Sequence, residues 1–363
     1  MSGSRPAWLA EVLERSYRGR RVFVTGHNGF VGSWLTYLLV HAGAEVTGFS
    51  LAQYPGGISE QLDLNNLCEG ITGDIRNIPI LQEAIRTRRP EVVFHLAAQP
   101  LVLPSFADPI ATFATNVMGT ANLLEAVRHQ PSVGACVVVT SDKCYATASH
   151  AHVETDPFGG DDPYSASKGA AEIVTHAYRH SFFRDSGPFV ASARAGNIIG
   201  GGDWAAHRLV PDSIRAIQQG EPVRLRNPQA IRPWQHVVDA VIGYLRLGDM
   251  LTVKGQEFAE GWNFGPHPDS TVSVAELVGT LVSRWRALGG SAMDPVVDLE
   301  PAVSEREFLT LLSSKAEAGL GWSPFLDFAA MIEWTAEWYF EAGTPQGARA
   351  VTESQVAKIL GEQ

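Results

Sequence analysis

The chain predicts an α/β fold, a doubly wound parallel sheet with a smaller, discontinuous α/β lobe towards the C-terminus. Three observations predict it. Apolar runs of strand length alternate through the first half with stretches long enough for helices, as buried parallel strands and their crossovers require. The first run leads into Val22-Phe-Val-Thr-Gly-His-Asn-Gly-Phe-Val-Gly-Ser-Trp34, a glycine-rich turn that opens a helix. A chain of 363 residues is also too long for one small core and suits one large domain with a second lobe.

Strands are expected over 21–25, 45–49, 92–96, 136–140 and 189–194, each an apolar run bounded by polar or turn residues. Helices are expected over 32–42, 78–88, 111–129 and 164–183. Arg88-Arg-Pro90 closes the second, and Asp161-Asp-Pro163 supplies a cap and a first-turn proline for the fourth. This is a Rossmann pattern. After Asn197 the alternation gives way to Gly200-Gly-Gly-Asp-Trp204, a helix over 210–219, and the Pro-containing run 227–236. A helix over 236–247 and a short strand over 262–264, returning to the main sheet, precede a helix over 272–288. The expected organisation is a nucleotide-binding domain over 1–198, with 231–265 returning to it, and a second lobe from 199–230 and 266–345. The polar tail 346–363 is expected to be a frayed helix.

A net charge of −11 without a concentrated basic face argues against a nucleic-acid partner. The longest apolar stretches are strand-length, which argues against a membrane span, and Glu11 and Glu14 among several arginines are unlike a signal peptide. Cys68, Cys136 and Cys144 have no metal spacing and fit a reducing compartment, so a cytoplasmic location is expected. No metal is expected: His150-x-His152 has no carboxylate or third histidine at ligand spacing. Arg208, Arg224, Arg226 and Arg232 crowd into one short segment, where a small anionic ligand would find guanidinium donors.

Gly26, Gly29 and Gly32 suit close backbone approach to a pyrophosphate at a helix N-terminus. About 20 residues on, Phe49-Ser-Leu51 offers neither an acid for a ribose 2′-hydroxyl nor an arginine for a 2′-phosphate, so spacing alone does not choose NAD over NADP. Asp74 in Thr72-Gly-Asp-Ile75 is either an adenine contact or a turn aspartate. Tyr164-Ser-Ala-Ser-Lys168 puts a phenol and an ammonium on one helical face, where the cation is expected to lower the phenol pKa. Thr140-Ser-Asp-Lys-Cys-Tyr145 falls at the C-terminal end of a central strand. There Asp142 and Lys143 are either a surface ion pair or, in a closed cleft, one acid and one base. His236, beside Trp234 and Gln235, is a packing or substrate-positioning residue.

These residues resemble the extended short-chain dehydrogenase/reductase family, and within it the nucleotide-sugar 4,6-dehydratases. The resemblance runs from Val22 to about Trp322 and rests on Val24-Thr-Gly-His-Asn-Gly-Phe30, His95-Leu-Ala-Ala-Gln-Pro-Leu-Val102, Thr115-Asn-Val-Met-Gly-Thr120, Thr140-Ser-Asp-Lys-Cys-Tyr145, Asp162-Pro-Tyr-Ser-Ala-Ser-Lys-Gly169, Arg194-Ala-Gly-Asn197, Ile231-Arg-Pro-Trp-Gln-His-Val237 and Trp262-Asn-Phe-Gly-Pro266. Asp-Lys after Ser141, where most of these dehydratases have Asp-Glu, is similar to the group acting on CDP-glucose. The resemblance implies an NAD cofactor, contacted by Gly26, Asn28, Gly29, Phe30, Val31, Gly32, Asp74, Ile75, Leu96, Ala97, Ala98, Asn116, Tyr164 and Lys168. It implies catalysis by Ser141, Asp142, Lys143, Tyr164 and Lys168, and a nucleotide-sugar substrate, a CDP-hexose, held by Gln99, Asn197, Trp204, Arg208, Arg226, Arg232 and His236. It also implies a homodimer or a tetramer. The sequence departs from the group at Val31, Leu103 and Leu312, and over 146–155 it lacks the group's Trp-containing segment. The alternatives are a 4-epimerase, a dehydratase for another nucleotide sugar, and a dinucleotide-binding protein without activity. Asp142-Lys143 disfavours the first, and the full Ser141, Tyr164 and Lys168 set disfavours the last.

Overall fold

Six strands carry the first half of the chain: Arg21–Thr25 (β1), Glu45–Ser50 (β2), Glu69–Thr72 (β3), Val92–His95 (β4), Ala135–Val139 (β5) and Phe189–Arg194 (β6). In this computed structural model, which describes residues 6–184, 187–298, 310–343 and 345–361, they form one parallel sheet with an edge strand Gly261–Asn263. The order is edge strand, β6, β5, β4, β1, β2, β3. Alternate residues feed two cores, which is why the strands read as unbroken apolar runs. Val22, Val24, Phe94 and Val137 face one core, and Phe23, Val93, Cys136 and Val138 the other. Helices Phe30–His41 and Val237–Lys254 cover the first face, while Ile78–Arg88 and Gly119–Arg128 cover the second, with Pro163–Phe182 packed beside them.

The chain reverses direction across the sheet between β1 and β4. A ligand crevice in an open α/β sheet lies at such a switch point, outside the carboxyl ends of the strands. Gly26 follows β1 there and Leu96-Ala-Ala98 follows β4.

Some elements differ from expectation. β3 was not anticipated, because Glu69-Gly-Ile-Thr72 carries one large apolar residue and lies at the sheet edge with little buried surface. The helix expected over 111–129 starts earlier, at Pro109, where Asp108 caps it by accepting from Ala111 N at 2.9 Å. It then passes through a π-helical turn, Ala114–Met118, before Gly119–Arg128. The helix expected over 272–288 gives up its start to a strand, Thr271–Ser273, antiparallel to Ile231–Pro233, and runs Val274–Ala287 with Ser273 as cap. The helix expected over 236–247 continues to Lys254 and stops at Gly255, whose φ of +63° lies in the left-handed region.

Over Pro345–Leu360 the tail is not frayed; residues 362 and 363 lie outside the described residues. Pro345–Leu360 packs on Phe328–Glu341 through Val351, Val356 and Ile359. Its polar residues turn inward with partners: Thr352 Oγ1 accepts from Trp338 Nε1 at 2.8 Å, and Gln355 Nε2 donates to Trp334 O at 2.9 Å. Composition counted these residues as solvent-facing, whereas these bonds help bury them, with Gln355 Oε1 alone of these atoms left without a partner. Short two-stranded pairings complete the region after β6: Ile198–Ile199 with Gln235–His236, and Arg224–Leu225 with Val296–Val297. Among the described residues no helix is long and apolar enough to cross a membrane.

Candidate active site

The glycine turn is shaped for close backbone approach. Gly26 has φ +75°, and a Cβ there would fall 2.7 Å from Ala97 N, so the turn and the loop after β4 touch backbone to backbone. A Cβ on Gly32 would fall 2.0 Å from Gly26 O. Gly29 is the N-cap of Phe30–His41 and brings no side chain to the first-turn N–H groups, leaving them to a ligand. At the end of β2, Ser50 Oγ binds His27 Nδ1 at 2.9 Å and accepts from Asn28 N at 3.2 Å. Asn28 Nδ2 donates to Leu51 O, and its Oδ1 is buried without a partner.

Of the other expected cofactor contacts, Ile75 is buried against Gly119, and Leu96, Ala97 and Ala98 are half-buried in the turn after β4, with Ala97 against Gly26. Two of the expected contacts are bonded within the protein. Asp74 makes a turn: it accepts from Arg76 N at 2.9 Å and from the Arg76 guanidinium through both oxygens, which holds its carboxyl below the usual range. Asn116, in the π turn, is used up inside the protein. Its Oδ1 accepts from Gln99 N at 2.8 Å, and its Nδ2 donates to Gln99 O and Ser167 Oγ. It ties the β4 loop to the Tyr164 helix.

The carboxyl end of β5 carries the reactive groups. Ser141 caps the turn Asp142–Cys144: its Oγ accepts from Lys143 N at 3.2 Å and donates to Asp142 Oδ1 at 2.8 Å. Asp142 is 2% exposed, with Oδ2 lacking a partner, and it presses on the Gly196 backbone, where a Cβ would fall 2.0 Å from the carboxylate. Lys143 is half-buried, and among the described residues no ion pair joins it to Asp142, so the surface-pair alternative does not hold. Asp162 caps the Tyr164 helix by accepting from Ser165 N at 2.9 Å, and both Tyr164 and Lys168 are buried.

Their electrostatics differ from expectation. Burial pushes the Tyr164 phenol up to about 12, with a hydrogen bond between it and Ser141 and the nearby Arg208 charge working the other way. Burial also brings the Lys168 ammonium down to about 8, while Cys144 and Glu172 oppose that. Desolvation outweighs the expected help from the lysine because both groups lie inside the fold.

Sequence reasoning missed the brace behind this cluster. Glu172, one helical turn beyond Lys168, accepts from Thr140 Oγ1, from Ser192 Oγ at 2.7 Å, and from Arg194 Nε and Nη2 at 3.0 and 2.9 Å. Arg194 Nη1 donates to Tyr145 Oη at 2.6 Å. Thr140 and Tyr145 stand on either side of the Ser141 to Cys144 segment, so one buried ion pair holds both its ends. The i, i+4 spacing from Lys168 was the available signal for Glu172. Nothing local pointed to Arg194.

The expected substrate residues separate into two sets. Asn197 adopts a left-handed φ of +47° with its Nδ2 buried and unpartnered, a donor ready for a ligand. Arg208 donates to Asp203 at 3.0 Å and lies near Tyr164. Trp204 is half-buried on Tyr339, Arg232 is half-buried, and Arg226 is exposed. Gln99, by contrast, is locked into its own loop: Nε2 donates to Leu101 O and Thr112 Oγ1, and Oε1 accepts from Leu101 N. His236 takes the packing role, buried between Trp34 and Trp334 and capping Val237–Lys254 by accepting from Val238 N.

A carboxylate does reach His150 and His152, which their spacing in the sequence did not suggest. Asp156 folds back so that its Oδ2 accepts from His150 Nε2 and His152 Nδ1, each at 2.9 Å.

The family model for GDP-mannose 4,6 dehydratase matches residues 23–335. The chain belongs to this family. Among its relatives, the CDP-glucose 4,6-dehydratase of Salmonella typhimurium is 44% identical over 331 residues, covering 89% of this chain and 91% of that protein. The dTDP-glucose 4,6-dehydratase of Streptomyces antibioticus is 30% identical, covering 88% and 92%. The crystal structure of a double mutant of DesIV, the dTDP-glucose 4,6-dehydratase of Streptomyces venezuelae, with NAD and DAU bound, superposes with a TM-score of 0.73 at 25% identity. It covers 88% of this chain and 97% of that one.

Proposed function

We infer that this enzyme is an NAD-dependent CDP-glucose 4,6-dehydratase, a hydro-lyase that forms CDP-4-keto-6-deoxyglucose. The observation that carries this reading is the buried Asp142 carboxylate, with one oxygen unpartnered, beside Lys143 at the end of β5, in the loop that also brings Ser141 to Tyr164. The 44% identity to the Salmonella CDP-glucose enzyme supports the choice of base.

The glycine turn fits a dinucleotide, since added Cβ atoms would fill the cradle and first-turn N–H groups stand uncapped. NAD, when bound, supplies the hydride acceptor for oxidation at C4 and the donor for reduction at C6, and brings a positive ring into the site. Tyr164, hydrogen-bonded to Ser141, would act as the phenolate, with the Lys168 cation and the positive ring of bound NAD opposing the burial that raises its pKa, and would take the proton of the hexose C4 hydroxyl as that carbon is oxidised. The ketone acidifies the C5 hydrogen. Lys143 is placed to remove it while Asp142 gives a proton to the departing C6 hydroxyl and water leaves. The proton held by Lys143 returns to C5 as C6 is reduced. Asn197 and Arg232 suit the diphosphate, the first as an amide donor and the second as a two-pronged cation. The segments 199–230 and 266–345 form the sugar-nucleotide lobe in this reading.

Incubation with CDP-, UDP-, GDP- and dTDP-glucose, followed by mass spectrometry, tests the assignment. Loss of one water from CDP-glucose supports it. Isomerisation without water loss makes the enzyme an epimerase, and water loss from another sugar alone changes the base.

Gly196→Ala is expected to displace the Asp142 carboxylate and slow water loss by roughly 10²-fold, as an error of about 1 Å can, with C4 oxidation kept. Single-turnover product analysis separates the two steps, and an unaltered rate of water loss would remove Gly196 from the account.

We further propose a homodimer through Gly119–Arg128 and Pro163–Phe182. Met118, at the start of the first, and Ile173 and Phe182, on the second, are 56%, 58% and 52% exposed, an apolar strip that pairing would cover. Ile173→Glu is then expected to give monomers by light scattering, and an unchanged mass would exclude this face. A cytoplasmic setting suits Cys68, Cys136 and Cys144, all free thiols.

A further inference from the structure

We propose that loop 146–158 carries a site for a borderline divalent metal such as Zn²⁺ or Ni²⁺, built by His150, His152 and Asp156. The two imidazoles converge on one carboxylate oxygen, each nitrogen 2.9 Å from Asp156 Oδ2, and the three ligand atoms lie within 4.8 Å of one another. Metal bonds of about 2.0–2.1 Å place neighbouring ligand atoms about 2.9 to 3.4 Å apart, from octahedral to tetrahedral geometry. The two histidine-to-carboxylate separations therefore already suit a shared metal, and the two imidazole nitrogens lie within 4.8 Å of each other. Two imidazoles with one carboxylate also form a donor set that favours Zn²⁺ and Ni²⁺ over Mg²⁺ or Ca²⁺.

Most of the site is held in place before any ion arrives. His152 is 1% exposed, and its ring stacks on Tyr145 at 4.5 Å with the planes 4° apart. Its backbone is fixed on both sides: His152 N donates to Thr310 O at 2.7 Å, and His152 O accepts from Leu312 N and Asn263 Nδ2. Asp156 also accepts from Val153 N. His150 is the exposed member, so the remaining coordination positions open to water.

The loop connects the two halves of the catalytic cluster. Its base is the Tyr145 to Phe158 bridge and the bond from Gly159 N to Cys144 O at 2.9 Å, next to Lys143 and shortly before Tyr164. A bound ion would fasten the outer part of the loop to the His152 ring, and through it to Tyr145. Binding does not depend on which sugar nucleotide the enzyme converts, so the site can be tested apart from the reaction.

The test is calorimetric titration of Zn²⁺ into the full-length enzyme after chelator treatment and dialysis, with Co²⁺ absorption as a second probe. One saturable equivalent per chain is expected. His150→Ala and Asp156→Asn should each weaken it by at least the roughly 10- to 100-fold that loss of even an outer partner costs. His150 lies on the surface, so its replacement leaves the fold intact. A competing site exists on Pro163–Phe182, where the exposed His176 and His180 rings are 4.1 Å apart. His176→Ala should leave the affinity unchanged. The proposal is overturned if the wild type shows no saturable binding, if His150→Ala and Asp156→Asn bind as well as wild type, or if His176→Ala abolishes binding.

Discussion

Replacing Lys143 with alanine leaves C4 oxidation in place and slows water loss by roughly 10²- to 10⁴-fold, the range a positioned general acid or base contributes. The substitution keeps the backbone N–H that Ser141 Oγ holds, so the turn Asp142–Cys144 and the Asp142 carboxylate stay where they are. Tyr164 and Lys168 sit on a separate helix and are untouched. The 4-keto sugar that still carries its C6 hydroxyl, trapped with hydroxylamine and separated by mass from the 4-keto-6-deoxy product, should accumulate in the variant and not in the wild type. Undiminished water loss would strip Lys143 of the role of base. Loss of oxidation as well would make it a group that positions the sugar.

Replacing Glu172 with alanine destabilises the fold by about 3–5 kcal/mol, because it leaves the Arg194 guanidinium buried without its counter-charge. Both members are almost fully buried, so water cannot take over the lost bonds. The same change releases Thr140 and weakens the hold on Tyr145, on either side of Ser141, Asp142 and Lys143. Glu172→Gln, which keeps the shape and some of the bonds, should cost less.

The pair also sets an acid limit. Burial pushes the Glu172 carboxyl up, but Arg194 and the bonds from Thr140 and Ser192 outweigh it and leave the group below its ordinary 4.5. A carboxyl lowered in the folded state stabilises above its unfolded pKa, and that stability is lost as pH falls through the folded value. Denaturation in a pH series should show the wild type weakening below about pH 4.5 and Glu172→Gln weakening less steeply. Equal slopes would move the acid sensitivity to other groups.

Much of the frame was legible in the chain itself. β1, β2, β4, β5 and β6 fall where apolar runs indicated strands, because a strand buried on both faces must be apolar at nearly every position. β3, with one large apolar residue in four, carried no such mark. The tail misled for the opposite reason: Thr352 and Gln355 look solvent-facing until Trp338 and Trp334 supply their partners. Asp142 and Lys143 were identifiable by place, at the end of a central strand, while the absence of an ion pair between them and the close fit of Asp142 on Gly196 were not.

Sequence by itself determined what depends on neighbours along the chain. The positive φ at Gly26, the cap at Asp162 and the shared face of Tyr164 and Lys168 follow from local backbone geometry and the helical repeat. Tertiary structure decided what depends on burial and on partners far apart in number. It joined Glu172 to Arg194 and Thr140, and it brought Asp156 back to two histidines. It also raised the Tyr164 phenol where helical spacing alone implied the reverse, because removal from water acts on the charge of a group wherever its neighbours in sequence lie.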